Sequence, residues 1–266
     1  MDLSIVILNY KSKGLLRQCL KGIRLLNLKL DYEVIVTDNN PSDSCGEMIK
    51  KDFPEIKFIQ SPKNLGYAGG NNLALKKATG RYILTLNPDI AILTNEIDKI
   101  IVYMDGRPEV GIVGPKLINP DGTMQYSCYR FPTFMMPFYR RTFLGKLPFA
   151  RNLVYKYLMM DWDHKENREV DWLLGGCLFI RKAAMDKIGL FDERFFMYFE
   201  DVDYCRRFWE NDYRVVYFAD AEVVHYHQRS SAETSWIWGF INKTSREHIK
   251  SWLKYFAKYL GAKLPR

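Results

Sequence analysis

Leu3-Ser4-Ile5-Val6-Ile7-Leu8-Asn9-Tyr10 is a near-continuous apolar run rich in β-branched residues. It predicts a strand buried on both faces of a parallel sheet, because a strand with one wet face would alternate apolar and polar positions. Leu15, Leu16, Cys19, Leu20, Ile23 and Leu26 then recur at helical spacing. Glu33-Val34-Ile35-Val36-Thr37 predicts a second buried strand, Met48 to Asp52 a short helix and Ile56-Lys57-Phe58-Ile59 a third strand. A glycine-rich turn leads to a helix over Asn71 to Ala78 and a fourth strand, Tyr82-Ile83-Leu84-Thr85-Leu86. Strands alternating with helices imply a right-handed, doubly wound sheet. Ligands of such sheets bind beyond the carboxyl ends of the strands.

That rule selects three loops with polar residues directly after a buried strand. They are Asn9-Tyr10, Asp38-Asn39-Asn40-Pro41-Ser42-Asp43 and Asn87-Pro88-Asp89. Downstream, the pattern predicts a helix over Glu96 to Met104, a strand over Gly111 to Gly114 and an irregular hairpin over Pro115 to Ser127, turning at Asn119-Pro120-Asp121-Gly122. From Tyr129 to Arg168 no period survives. Val170 to Ile180 reads as one strand interrupted by Gly175 and Gly176, a sign that backbone or ligand approaches closely. Arg181 to Ile188 reads as a helix capped by Gly189, and Arg214 to Phe218 and Ala221 to His225 as short strands.

The length, 266 residues, suits one large domain or two small ones. A net charge of +8 points to phosphate-bearing partners. Nucleic acid is not expected, since no reading motif accompanies the charge. The five cysteines are odd in number and widely spaced, without a Cys-x-x-Cys pair. They argue for a reducing, cytoplasmic compartment and against a disulfide framework or structural zinc. No cleavable leader or membrane-length apolar run is read. Neither a Gly-x-Gly-x-x-Gly turn nor a P-loop follows the first strand, which disfavours dehydrogenases and P-loop enzymes. No order of Ser, His and Asp fits a nucleophilic hydrolase.

The acidic segment Phe195-Phe196-Met197-Tyr198-Phe199-Glu200-Asp201-Val202-Asp203-Tyr204-Cys205-Arg206-Arg207 puts three carboxylates after an apolar run. Carboxylates near apolar walls cost free energy unless they are paired or used. Read alone, this is an acidic helix start pairing forward to Arg206 or Arg207.

Together these stretches resemble the inverting glycosyltransferases of family 2, with the GT-A fold. The matching residues are Ser4 to Tyr10, Val34 to Asp43, Asn64 to Asn72, Asn87-Pro88-Asp89, Trp172 to Cys177, Phe191 to Arg207 and His225, in the family's order. Asn-Leu-Gly-Tyr-Ala-Gly-Gly-Asn-Asn and Phe-Met-Tyr-Phe-Glu-Asp-Val-Asp look most like the rhamnosyltransferase branch. The resemblance implies an α/β fold with a Rossmann-like, mostly parallel nucleotide-binding sheet flanked by helices. Residues 1–115 would form the nucleotide-sugar half, 116–240 the acceptor half and 241–266 a helical extension.

It also implies residue roles. Asp201 would be the base that deprotonates the acceptor, with Glu200 as orienting group or alternative base, and Asp203 structural near Arg206. Asn9, Tyr10, Asp38, Asn64, Gly66, Asn72 and Asn87 would border the nucleotide; Asp43, Asn64 and Asn72 also suit turns and caps. Asp89 and His225 would hold Mg²⁺ or Mn²⁺, with His227 ranked behind. The family writes two aspartates around one residue here; this chain has Asn87 at the first, leaving one firm carboxylate. Trp172, Gly175 and Gly176 would floor the acceptor site, and a core role for Trp172 stays open.

The expected partners are a nucleotide-diphosphate sugar, dTDP-L-rhamnose by resemblance, and a saccharide or polyprenyl-linked saccharide acceptor. An anionic membrane at the inner face of the cell membrane and a second copy of the chain complete the set. Phe131 to Met160 mixes aromatics, methionines and cations, and reads either as a helical excursion packed on the core or as an acceptor- or membrane-facing surface. In the tail, Ile249, Trp252, Leu253, Phe256 and Leu260 share helical spacing beside Lys250, Lys254 and Lys258. That pattern is expected to lie in an anionic interface, with docking on its own domain or a second subunit as the alternatives. The competing function is a non-catalytic nucleotide-sugar or polysaccharide-binding module of the same fold.

Overall fold

The structure is a computed structural model, and it describes residues 1–42, 44–226 and 243–266. Asp43 and His227 lie outside the described residues. The opening run forms β1 (Leu3–Asn9). It is followed by α1 (Lys13–Leu25), β2 (Tyr32–Asp38), α2 (Cys45–Asp52), β3 (Lys57–Gln60), α3 (Gly66–Leu75) and β4 (Tyr82–Leu86). β1 lies parallel between β2 and β4, and β3 extends the parallel set beside β2. Val6 joins the core on one face of the sheet, while Ile5 and Ile7 join the core on the other. Both faces of β1 are therefore covered, which is why its sequence does not alternate.

Beyond β4 the chain forms β5 (Ile90–Ile92), α4 (Glu96–Asp105), β6 (Val110–Ile118), β7 (Met124–Gln125) and β8 (Cys128–Tyr129). Next come α5 (Met136–Arg141), a 3-10 turn (Phe143–Lys146), α6 (Pro148–Tyr157), β9 (Arg168–Glu169) and β10 (Trp172–Leu173). The chain continues with β11 (Cys177–Arg181), α7 (Lys182–Ile188), α8 (Glu200–Trp209), β12 (Arg214–His225) and α9 (Lys243–Lys258). The main sheet runs β3-β2-β1-β4-β11-β6-β12-β5, with β11 antiparallel to both of its neighbours. The sheet is thus parallel over the first half and mixed beyond it.

Three readings of the sequence are corrected. The helix expected over 71–78 is α3, and it starts at Gly66. Its glycines weaken the helix intrinsically, but they admit contact: a Cβ at Gly70 would sit 2.5 Å from Leu8 Cδ1 on β1. The single strand expected over 170–180 is two strands in different sheets, β10 pairing with β8 and β11 with β4. The two segments at 214–218 and 221–225 are one strand, β12, with a register shift between Phe218 and Glu222.

A polar staple ties the base of the parallel set together. Buried Glu33 on β2 accepts from Ser4 Oγ at 2.6 Å, Thr79 N at 2.8 Å, Thr79 Oγ1 at 2.7 Å and Lys57 Nζ at 2.6 Å. Burial raises its pKa, but the bonds from Lys57, Ser4 and Thr79 outweigh that and hold it down at about 2. A depressed folded-state pKa makes this stabilisation present above the ordinary value of 4.5 and lost as pH falls toward about 2. Glu33→Gln should therefore lower the unfolding free energy in urea at pH 7 by about 1–3 kcal/mol. The deficit should shrink as the pH of the titration is lowered below about 4.

Candidate active site

The ends of β1 and β2 meet through side chains. Asn9 Nδ2 donates to Asp38 Oδ1 at 3.0 Å, and Asn40 N donates to the same oxygen at 3.2 Å. Both residues are buried, and Tyr10 beyond them is 44% exposed. Asn39, which the sequence reading quoted but did not single out, carries the next link. Its Nδ2 donates to Asn64 Oδ1 at 3.1 Å and to Gly66 O at 2.9 Å, and its Oδ1 accepts from Leu65 N at 2.9 Å. Asn64 Oδ1 also accepts from Gly66 N. Gly66 has φ +75°, and a Cβ there would lie 2.1 Å from Phe196 O, so no other residue fits without moving the acidic segment. Asn72 exchanges bonds with Phe191, Nδ2 donating to its O at 2.9 Å and Oδ1 accepting from its N at 3.1 Å. Its Nδ2 also reaches Glu193 Oε1. Both ends of this amide fasten α3 to the strap that enters the acidic segment.

Asp89 and His225 come together although they are far apart in sequence. β5 pairs antiparallel with β12, setting His225 opposite Ile90. His225 Nε2 lies 3.5 Å from Asp89 Oδ2, and Tyr226 N donates to Asp89 O at 2.8 Å. Asp89 Oδ1 is buried with no hydrogen-bond partner among the described residues. Gln125 on β7, which the sequence reading missed, orients the ring. Its Nε2 donates to Asn119 Oδ1 and His225 O, so its Oε1 faces His225 Nδ1, at 2.9 Å. An Nδ1 that faces this acceptor acts as donor, which places Nε2 on the Asp89 side. An orphaned carboxylate oxygen beside an oriented imidazole nitrogen suits Mg²⁺ or Mn²⁺, Mn²⁺ tolerating the nitrogen better. Among the described residues no third His, Cys, Asp or Glu completes a cluster.

Gly175 and Gly176 are the hub between the sheet and α8. Gly175 N donates to Asp201 Oδ2 at 3.1 Å, Gly175 O accepts from the Tyr67 hydroxyl, and Gly176 O accepts from Asn87 N at 2.8 Å. These bonds take the backbone groups that a ladder would have used, which is why the expected long strand breaks here. Asp201 Oδ1 accepts from Val202 N at 2.9 Å. Tyr198 and Phe199, just before α8, hold φ of 69° and 65°. Left-handed backbone at two consecutive bulky residues stores about 1–3 kcal/mol each.

Glu200 and Asp201 are both buried. Burial raises the Asp201 pKa to about 6, against the pull of the Gly175 and Val202 amides. Burial first, and then the neighbouring Asp201, push Glu200 well above the carboxylate range. Glu200 Oε2 has no partner among the described residues. Of the pair, Glu200 is therefore the acid that burial and its neighbour bias toward the protonated form, and Asp201 the one whose charge the two amides favour. Trp172 is 7% exposed, stacks on Tyr129 at 4.4 Å between centroids and donates Nε1–H to Arg130 O.

Asp203 is fully buried and accepts from Arg207 Nε at 2.9 Å, Lys258 Nζ and the Tyr259 hydroxyl at 2.8 Å. Its partner is Arg207; Arg206 instead reaches Glu210 and Lys263 O. The lysines expected to form a membrane stripe on α9 are thus partly spent inside the protein, with Lys254 donating to Arg194 O. Much of the apolar face of α9 is covered as well: Trp252 and Tyr255 are buried and Ser251 Oγ donates to Met197 O, while Leu253 and Leu260 remain exposed. α9 packs on its own domain.

A sheet that is parallel through β3-β2-β1-β4 and mixed beyond, with its polar residues at strand ends, is the architecture of the GT-A glycosyltransferases. The chain superposes on the mannosyltransferase PcManGT from Pyrobaculum calidifontis, solved with GDP-Man and Mn²⁺, with TM-score 0.64, 16% identity and coverage of 99% of this chain and 66% of that one. On S. aureus TarS 1–349 the TM-score is 0.57 at 17% identity, covering 85% of this chain and 60% of that one. The chain belongs to glycosyl transferase family 2, whose model matches residues 4–188. The resemblance read from the sequence is thereby borne out. The chain is 27% identical over 241 residues to the N-acetylglucosaminyl-diphospho-decaprenol L-rhamnosyltransferase of Mycobacterium tuberculosis, covering 86% of this chain and 77% of that protein. It is 25% identical over 269 residues to rhamnosyltransferase WbbL of Escherichia coli K12, covering 96% and 92%.

Asp203 and Asp201, two of the three buried acids of α8, should respond oppositely to substitution. Asp203→Ala strands Arg207 and Lys258 beside an empty site and should cost about 3 kcal/mol in thermal or urea unfolding. Asp201, whose raised pKa makes its charge destabilising above about pH 6, should tolerate Asn with an unchanged or higher Tm at pH 8.

Proposed function

We propose that this protein is an inverting, metal-assisted glycosyltransferase that moves L-rhamnose from dTDP-L-rhamnose to a hydroxyl of a saccharide. The acceptor we assign is a polyprenyl-linked saccharide of a cell-surface polysaccharide. The observation that carries the reading is the hub at Gly175-Gly176, which holds Asp201 on one side and Asn87, at the start of the Asp89 loop, on the other. The names of the mycobacterial and E. coli relatives support rhamnose as the sugar and a lipid-linked acceptor.

The chemistry follows from the charges. Asp201, ionised near neutral pH and aimed by two backbone amides, accepts the proton of the acceptor hydroxyl. The freed oxygen pair forms the new bond to the anomeric carbon from the face opposite the nucleotide. The bond from that carbon to the diphosphate oxygen breaks, and the diphosphate leaves with the electron pair. Asp89 and His225 are the residues that would hold Mg²⁺ or Mn²⁺, which supplies positive charge for the leaving diphosphate. Glu200, whose burial beside Asp201 favours its protonated form, orients the acceptor rather than competing for its proton. Asn9, Tyr10 and Asp38 border the base and ribose at the ends of β1 and β2, with Asn64 and Gly66 shaping the adjoining turn.

Asp201→Asn should lower kcat by about 10²–10⁴ while donor KM changes little, and Glu200→Gln should cost less. The wild-type rate should fall tenfold per pH unit below about 6, as Asp201 takes up its proton. An Asp201→Asn protein with full turnover would remove the base assignment. Gln125→Leu should weaken Mn²⁺ binding, followed by calorimetry or by the Mn²⁺ electron spin resonance signal, about 10–100-fold. Thermal-shift protection should be larger with dTDP-L-rhamnose and Mn²⁺ than with UDP or GDP sugars.

A further inference from the structure

We propose that the outer face of the excursion formed by the 3-10 turn and α6 is a docking surface for an anionic phospholipid bilayer. Ala150, Val154 and Tyr157 recur at helical spacing and turn inward: Ala150 and Tyr157 are buried, and Val154 packs against the core. On a surface helix the opposite face is ordinarily charged and polar. The exposed flank one residue ahead of that buried stripe instead carries Phe149 at 58% exposure and Leu153 at 41%, spaced as neighbours on one face, and the adjoining turn adds Phe143 at 69% and Leu147 at 41%.

The charge on this surface has one sign. Residues 131–160 contain five Lys or Arg and no Asp or Glu. Lys146, Arg151 and Lys156 are exposed around the apolar cluster. Exposed aromatic and aliphatic side chains interspersed along the chain with exposed cations match the boundary between acyl chains and anionic headgroups. A protein partner of ordinary mixed charge would leave these cations uncompensated. Among the described residues no helix is long and apolar enough to cross a membrane, so the contact is peripheral.

The surface also has a defined relation to the acidic pair. Tyr157, on the inner face of α6, stacks on Tyr129 at 5.6 Å, and Tyr129 stacks on Trp172 at 4.4 Å, three residues before Gly175. A bilayer touching α6 is therefore separated from the acceptor side of the site by one layer of stacked rings. α9 is excluded from the contact at its aromatic face, because Trp252 is wedged against Phe134 at 4.4 Å and Phe138 at 5.3 Å.

The proposal adds a partner to the transferase reading, and its test needs neither donor nor acceptor, so the two can fail separately. The full chain is sedimented with vesicles of phosphatidylcholine alone or mixed with phosphatidylglycerol. The expected result is pelleting with the anionic vesicles only, weakened by raised salt. Phe149→Ser with Leu153→Ser, and separately Lys146→Glu with Arg151→Glu, should each lower the partition coefficient at least about tenfold. Circular dichroism should be unchanged in both, since all four side chains are exposed, and Leu253→Ser on α9 should pellet like wild type. Wild-type protein that stays in the supernatant, or variants that pellet equally, would overturn the proposal. So would vesicle-free sedimentation showing a dimer that Phe149→Ser with Leu153→Ser dissolves, which would give the face to a second copy of the chain.

Discussion

The bond from Gly175 N to Asp201 Oδ2 is the constraint on which the rest of the site depends. A carboxylate buried among aromatic side chains is costly to ionise, and two amides lower that cost without neutralising the charge. To present one of those amides, the chain gives up strand pairing between β10 and β11. The same two glycines anchor the Tyr67 hydroxyl of α3 and the amide of Asn87 at the end of β4. One short backbone break therefore sets the distance between the α8 acids and the β4 loop that carries Asp89.

The surrounding structure keeps this arrangement rigid. Tyr198 and Phe199 enter α8 in left-handed backbone, a strained entry that survives only where packing over-determines it. Packing comes from α9, whose Ser251 bonds to Met197 O and whose Tyr255 meets Phe199. One turn into α8, Asp203 is locked by Arg207, Lys258 and Tyr259. The acidic segment thus divides its labour: Asp203 fastens the helix, burial biases Glu200 toward its protonated form, and the two amides favour the charge on Asp201.

Much of the fold was legible because burial leaves a direct imprint on sequence. β1, β2 and β4 are legible as apolar runs, and the strand-end rule selects Asn9, Asp38 and Asp89 from sequence alone. What escaped the sequence was decided by distant partners. The glycine run that reads as a turn is the first part of α3, and Gly70 there serves the close approach to Leu8 rather than helix propensity. The split at Gly175 depended on a carboxylate on α8, twenty-six positions away. Gln125 sits in a short hairpin with no pattern of its own, and its task appears only when β12 returns His225 to it. For α9, periodicity grouped Trp252 and Phe256, which pack, with Leu253 and Leu260, which stay exposed, and gave no sign of the aromatic surface that Trp252 meets.

The central claim is that Asp201 is the group that ionises near neutrality against the Gly175 amide. The most direct measurement is the pH dependence of the Gly175 amide resonance in protein labelled with ¹⁵N-glycine. The amide proton should shift downfield on ionisation with a midpoint near pH 6, and the shift should vanish in Asp201→Asn. A Gly175 amide that does not titrate around that pH, or that titrates equally in Asp201→Asn, would contradict it.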